Sequence, residues 1–292
     1  MRTLQTVNQA PLPKYFILDF DGTITTKDTI QTVFKSALSF QKERGKDMKA
    51  TWQEITTSYD HDYELHVENY EPLTQDRNSL EAEVAFYRAL RDIETRSFDR
   101  VSRSGIFEGI SEEKWEEFGR KASESGQVSL RNGFESFVES IRASEGTWGV
   151  ISVNFSAAFI RGVLSLGAER KGIHVLANQP ERSGIVKGPK RIDGTFGKVL
   201  ITSEDKFIAM NDLLTSWDMA GKNNEVGFIG DSGTDIECLT HNQVVGIMMS
   251  NDGNGNLIHI MNRLGMEVVY IGERKYASAR SIFWARNFEE LL

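Results

Sequence analysis

The sequence predicts an α/β fold: a doubly wound, mostly parallel sheet with an inserted α-helical domain. Three observations predict it. Short, wholly apolar runs alternate with stretches of helical periodicity, the pattern of βαβ units. Several of those runs end in polar, turn-forming residues. One long stretch, residues 26–127, breaks the alternation with helical patterns and no convincing buried strand.

In chain order, Tyr15-Phe16-Ile17-Leu18-Asp19-Phe20 reads as a buried strand that stops in the turn signal Asp21-Gly22. Further strands are expected at residues 147–152, 172–176, 225–229, 244–248 and 267–271. Helices lie between them. Residues 131–144 place Phe134, Phe137, Val138 and Ile141 on one face, and residues 156–166 do the same with Phe159, Ile160, Val163 and Leu164. Thr202-Ser203 open a third helix, with Asp205 in its first turn and Phe207, Ile208, Leu213 and Leu214 following at helical spacing. Residues 183–198, with Gly184, Gly188, Gly194 and Gly197, read as a hairpin or loop. The expected organisation is therefore a core of residues 1–25 and 128–292, interrupted by a helical domain of residues 26–127.

The chain has 292 residues, long enough to bury a core without disulfides. Its net charge of -8 argues against a broad nucleic-acid surface, which needs a basic face. The single cysteine, Cys238, forms no intramolecular disulfide and reads as a small packing residue. The polar start, residues 1–13, lacks the apolar stretch of a signal peptide, and no run approaches the roughly 20 apolar residues that span a bilayer. The expectation is a soluble, cytoplasmic protein with no membrane partner.

Ligands of an open parallel sheet bind beyond the carboxyl ends of its strands. The strands ending at Asp19, Ser152 and Asp231 are therefore expected to meet at one place. That would gather the carboxylates of Asp19, Asp21, Asp231 and Asp235, which repel one another unless a cation lies among them. Magnesium, which takes oxygen ligands, fits such a group. A carboxylate there is able to attack phosphorus, and a neighbouring one, Asp21, to protonate the leaving oxygen. Ser152 offers a hydrogen bond to a phosphate oxygen. Lys206 offers a fixed positive charge, with Lys198 and Lys222 as competing choices.

The series Asp19-Phe20-Asp21-Gly22-Thr23, then Ser152, then Lys206, then Gly230-Asp231-Ser232-Gly233-Thr234-Asp235 resembles the haloacid dehalogenase superfamily, over nearly the whole chain except the insert. The resemblance implies a magnesium-dependent phosphatase acting on a small phosphorylated metabolite. Asp19 would be nucleophile and metal ligand, Asp21 the acid/base with its backbone carbonyl on the metal, Asp231 the third protein ligand and Asp235 a nearby support. Gly22 and Thr23 would shape the turn after the nucleophile. The insert resembles the small helical cap of the phosphoserine phosphatase-like branch. Asp28 would then contact substrate, as would the loops carrying Gly22, Thr23, Val153 and Asn154. Many relatives have glycine where this chain has Val153, which leaves less room near the phosphate. A phosphotransferase or phosphomutase, and a non-catalytic binding protein, are the alternatives on this scaffold.

Gly230-Asp231-Ser232-Gly233 also imitates a serine-protease nucleophile motif, but the βα alternation and the lone cysteine oppose that. Asp252, Asn254 and Asn256 imitate a calcium loop whose glycine and final glutamate are replaced by Leu257 and Arg263, so a solvated loop is expected.

Overall fold

The structure, a computed structural model, describes residues 12–165, 173–191, 194–222, 225–276 and 282–292. Most of the polar lead-in, the end of the helix expected at residue 166 and the start of the strand expected at 172 lie outside these. The chain begins with β1 (Tyr15–Leu18), followed by five helices: α1 (Ile30–Glu43), α2 (Lys49–Asn69), α3 (Leu80–Ala89), α4 (Arg91–Ser104) and α5 (Glu112–Glu124). Then come α6 (Phe134–Ala143), β2 (Thr147–Ile151), α7 (Ala157–Val163) and β3 (His174–Leu176). The short strands β4 (Gln179–Pro180) and β5 (Val186–Lys187) pair antiparallel; β5 lies within residues 183–198, read as a hairpin or loop, and β4 just before them. The remainder is α8 (Ser203–Ser216), β6 (Val226–Gly230), α9 (Ile236–Leu239), β7 (Val244–Met249), α10 (Asn256–Arg263), β8 (Val268–Tyr270) and β9 (Ile282–Ala285).

Seven strands form one parallel sheet in the order β3-β2-β1-β6-β7-β9-β8. A parallel sheet is covered on both faces, which is why its strands read as continuous apolar runs rather than alternating ones. On one face β1 contributes Phe16 and Leu18 to a core with Phe134, Phe137, Trp148 and Phe159. On the other, Ile17 joins Ile151, Met210, Leu213 and Phe228. The sequence missed β9, a four-residue strand that pairs with both β7 and β8.

The helical segment leaves and rejoins the sheet at one ribbon. Thr26 donates to the Ser129 carbonyl at 3.0 Å, Arg131 donates to the Ile24 carbonyl at 2.8 Å, and Thr25 bridges Leu130. Between these points the described chain has helices and no strand. Cys238 is fully buried, as its apolar reading required.

Candidate active site

Three adjacent strands, in the order β2-β1-β6, end at one place. Ser152 follows β2, Asp19 follows β1 and Asp231 follows β6. The Asp19 N–H extends the ladder to the Ile229 carbonyl at 2.8 Å, which fixes the aspartate beside β6. The fourth contributor is Lys206, in the first turn of α8. A capping box holds that turn: Thr202 caps the helix and the Asp205 carboxylate returns to the Thr202 N–H at 3.1 Å.

The Lys206 ammonium donates to Asp19 Oδ1 at 2.6 Å and to Asp235 Oδ1 at 2.8 Å, and all three side chains are buried. The rival lysines lie elsewhere: Lys198 is 3.4 Å from Asp205, and Lys222 is 3.3 Å from Asp218. Burial works to neutralise Lys206, but the charges of Asp19 and Asp235 outweigh it and raise its pKa.

Ligand oxygens of Asp19, Asp231 and Asp235 lie within 4.8 Å of one another. Burial raises the Asp19 carboxyl well above its ordinary range against the pull of Lys206, with Asp235 and Asp231 adding repulsion. Burial and the charge of Asp235 push Asp231 up to about 7. Carboxylates so crowded suit a hard divalent cation, which would relieve both the repulsion and the loss of hydration. They differ in capacity to hold one. Asp235 spends Oδ1 on Lys206 and Oδ2 on the Asp231 N–H, the Ser232 N–H and the Ser232 hydroxyl. Among the described residues the Asp231 carboxylate has only the Thr23 hydroxyl, on Oδ1 at 2.9 Å.

Asp21 departs from the expected group of four. Its carboxylate is not one of the three clustered groups, because other donors turn it away. Oδ1 accepts from the Thr29 N–H and hydroxyl at 2.8 and 2.6 Å, and Oδ2 accepts from the Asn154 amide at 2.8 Å. Its pKa is raised by burial and by the charge of Asp28. Asn154 is correspondingly occupied: its amide also reaches Thr29, and its oxygen accepts from the Ser156 N–H. The Asn154 side chain therefore orients Asp21 rather than presenting free donors. The Ser152 hydroxyl accepts from the Asn154 N–H at 3.1 Å and has no acceptor for its own proton among the described residues. The Val153 N–H is likewise undirected among them, while its carbonyl accepts from Asn178.

Gly22 shows why this turn needs glycine. Its φ is +74°, and an added Cβ would stand 2.2 Å from Asp231 Oδ2. Thr23 holds Asp231. Asp28, exposed, accepts from the Ile30 N–H at 2.6 Å just before α1 and lines the cavity of the site.

Two supports escaped the sequence reading. Arg131 is buried and clamps the turn after Asp19, donating to the Gly22 and Thr23 carbonyls and, through its third nitrogen, to Asn251 Oδ1 and the Arg286 carbonyl. Asn178 is buried beyond β3 and holds the loop after Ser152 through the Val153 and Asn154 carbonyls. Asn178 carried a signal, a polar residue just past an apolar run. Arg131 carried none, since it read as an ordinary residue opening a helix.

Asp19, Asp21, Ser152, Asn154, Lys206 and Asp231 line one side of a cavity of about 540 Å³ whose opposite wall comes from α1, α2 and α4.

No family model matches the chain. The chain is similar to Cold tolerance protein 1 of Saccharomyces cerevisiae, 28% identical over 80% of this chain and 78% of the relative. It is also similar to a CTO1 family protein of Schizosaccharomyces pombe, 27% identical over 81% of this chain and 82% of the relative. Among solved structures, a HAD family hydrolase from Salmonella enterica serovar Typhi superposes with a TM-score of 0.51 at 14% identity, covering 86% of this chain and 66% of that one. Cytosolic 5'-nucleotidase IIIB bound to cytidine also gives 0.51, at 15% identity over 86% and 78%. At such identities the likeness is one of fold.

Proposed function

We propose that this chain is a phosphatase of the haloacid dehalogenase type, hydrolysing a small phosphate monoester through an aspartyl-phosphate on Asp19. One observation carries the reading: a buried lysine bonded at 2.6 Å to the aspartate that follows β1, with Asp231 and Asp235 grouped near that aspartate. Lys206 favours the charged form of Asp19 against the effect of its burial and offsets incoming phosphate charge.

In the proposed reaction an Asp19 oxygen attacks phosphorus and the ester oxygen leaves. Asp21, whose raised pKa suits a proton carrier, gives that oxygen its proton. Asp21 then takes a proton from the water that attacks the aspartyl-phosphate, and inorganic phosphate leaves with Asp19 restored. Ser152, with its proton undirected, and the Val153 N–H suit the phosphate oxygens. Asp19 and Asp231 would hold magnesium, with the Asp21 carbonyl completing the protein ligands and Asp235 acting as the brace for Lys206. The cation would screen nucleophile from phosphate. Residues 26–127 would act as a cap over the core of residues 1–25 and 128–292.

The test is turnover of an aryl phosphate with magnesium by the wild type and by Asp19→Asn. Activity in the wild type that vanishes in the variant is expected. Retained activity in Asp19→Asn removes the mechanism.

A further inference from the structure

The cavity has an uneven charge. Six carboxylates line it (Asp19, Asp21, Asp28, Asp60, Glu94 and Asp231), against Lys206 as its one basic residue among the described ones. Lys206 is already bonded to two carboxylates. A substrate therefore meets positive charge only where its phosphate goes, and none along the wall made by the helices. A second anionic group on the substrate would face carboxylates without a counter-charge.

Glu94, on α4, makes this specific. It lines the cavity, and among the described residues its carboxylate has one hydrogen-bond partner, the Tyr59 hydroxyl of α2, at 2.8 Å. No lysine, arginine or histidine pairs with it among the described residues. A carboxylate withdrawn from water without a cation is unfavourable, and one that opens into a cavity is a place for a cationic ligand. Burial raises its pKa, an effect that a cation beside it would oppose.

Apolar surface lies on the same wall. Phe34 and Trp52 stack with centroids 3.8 Å apart, and Phe98 stacks on Phe155 at 4.3 Å, with Ile55 and Val101 beside them. Phe155 comes from the loop after Ser152, so core and insert share this surface. Aromatic faces also favour a cation or its attached methylenes.

We infer that the site selects a phosphate monoester whose alcohol portion is apolar along its length and carries an ammonium group, which pairs with Glu94 beside Tyr59. The inference rests on the phosphatase reading. It excludes esters whose body bears a carboxylate or a second phosphate.

The experiment uses matched series of ω-aminoalkyl, alkyl and ω-carboxyalkyl phosphates of increasing length, with p-nitrophenyl phosphate as reference and magnesium present. The wild type should turn over the best aminoalkyl ester with a kcat/KM at least tenfold above the alkyl ester of equal length, and the carboxyalkyl ester should be poorest. In Glu94→Gln the aminoalkyl-to-alkyl ratio should fall at least tenfold. A carboxyalkyl ester as good as the aminoalkyl one, or an unchanged ratio in Glu94→Gln, overturns the assignment. The two readings fail separately. Calorimetry of the same esters on Asp19→Asn measures selection without turnover. A preserved preference for the aminoalkyl ester there, with a wild type inert toward every ester, would refute the reaction and keep the pocket. Should Glu94→Gln not fold, the ranking on the wild type decides alone.

Discussion

At the scale of single residues the site is a balance of buried charges. Lys206 sits between Asp19 and Asp235, and neither aspartate has another cation bonded to it among the described residues. Removing one partner of a buried ion pair typically costs about 3–5 kcal/mol, because the remaining charge is stranded. Lys206→Met is therefore expected to lose activity and to lose about 3 kcal/mol or more in urea unfolding at pH 8. The sign of its pH dependence follows from Asp19, whose folded pKa is already above the unfolded value. Without the ammonium it rises further, so the folded variant binds protons the unfolded chain does not. Its stability deficit should then shrink between pH 8 and pH 5. A deficit that stays constant over that range would mean that Lys206 acts by packing alone. The type of each group was legible in the sequence because Asp19, Ser152 and Asp231 all follow apolar runs. The aim of the Asp21 carboxylate was not, since it depends on Thr29 and Asn154, donors eight and 133 residues away.

At the scale of elements, apolar runs of five or six residues gave themselves away as buried strands, whereas Ile282–Ala285 was too short to stand out from a loop. Its strand character comes from its neighbours: β7 and β8 hold it on both sides. The supports of the site were hidden for a related reason. Asn178 is a single polar residue, and its importance lies in what it touches. Its amide donates to the Val153, Asn154 and Leu200 carbonyls and its oxygen accepts from the Leu200 N–H, so four backbone groups of two separate loops depend on one side chain. Replacing it by alanine leaves several of them buried without partners, at a cost of about 2–4 kcal/mol. Asn178→Ala is expected to lower stability in chemical unfolding by that amount and to reduce kcat/KM with it, as the loop carrying Ser152 loses its tether. A variant as stable as the wild type would show that water replaces the amide there.

At the scale of the whole molecule, the helical segment is fastened to the core on two sides. On one, α3 and α4 reach across with charged groups: Glu83, itself bonded to Arg77 of the same segment, reaches Arg263, Arg88 pairs with Glu237, and Arg91 bonds Thr202, Glu204 and Asp205 at the start of the helix that carries Lys206. On the other, α5 lies against α7 with no room for side chains between them. A Cβ added at Gly119 would stand 2.0 Å from the Phe159 carbonyl oxygen, and one at Gly162 would stand 2.0 Å from that of Glu116. The insert itself was readable from its lack of buried strands. These fastenings were not, because two glycines far apart in sequence, each inside a helical pattern, do not announce that they face one another. The contact is backbone on backbone, so no rotamer change relieves an added methyl group; the helices must separate. Overpacking of this kind costs about 1–3 kcal/mol. Gly162→Ala is therefore expected to destabilise the protein in urea unfolding, despite alanine's better helix propensity. Such a displacement of α5 is expected to reach the cavity, since α1 packs on α5 and carries Phe34 into the cavity wall. The same variant should lose more kcat/KM on an ester long enough to reach α2 and α4 than on a short alkyl phosphate. Equal losses on both would place the damage in the core rather than in the wall of the cavity.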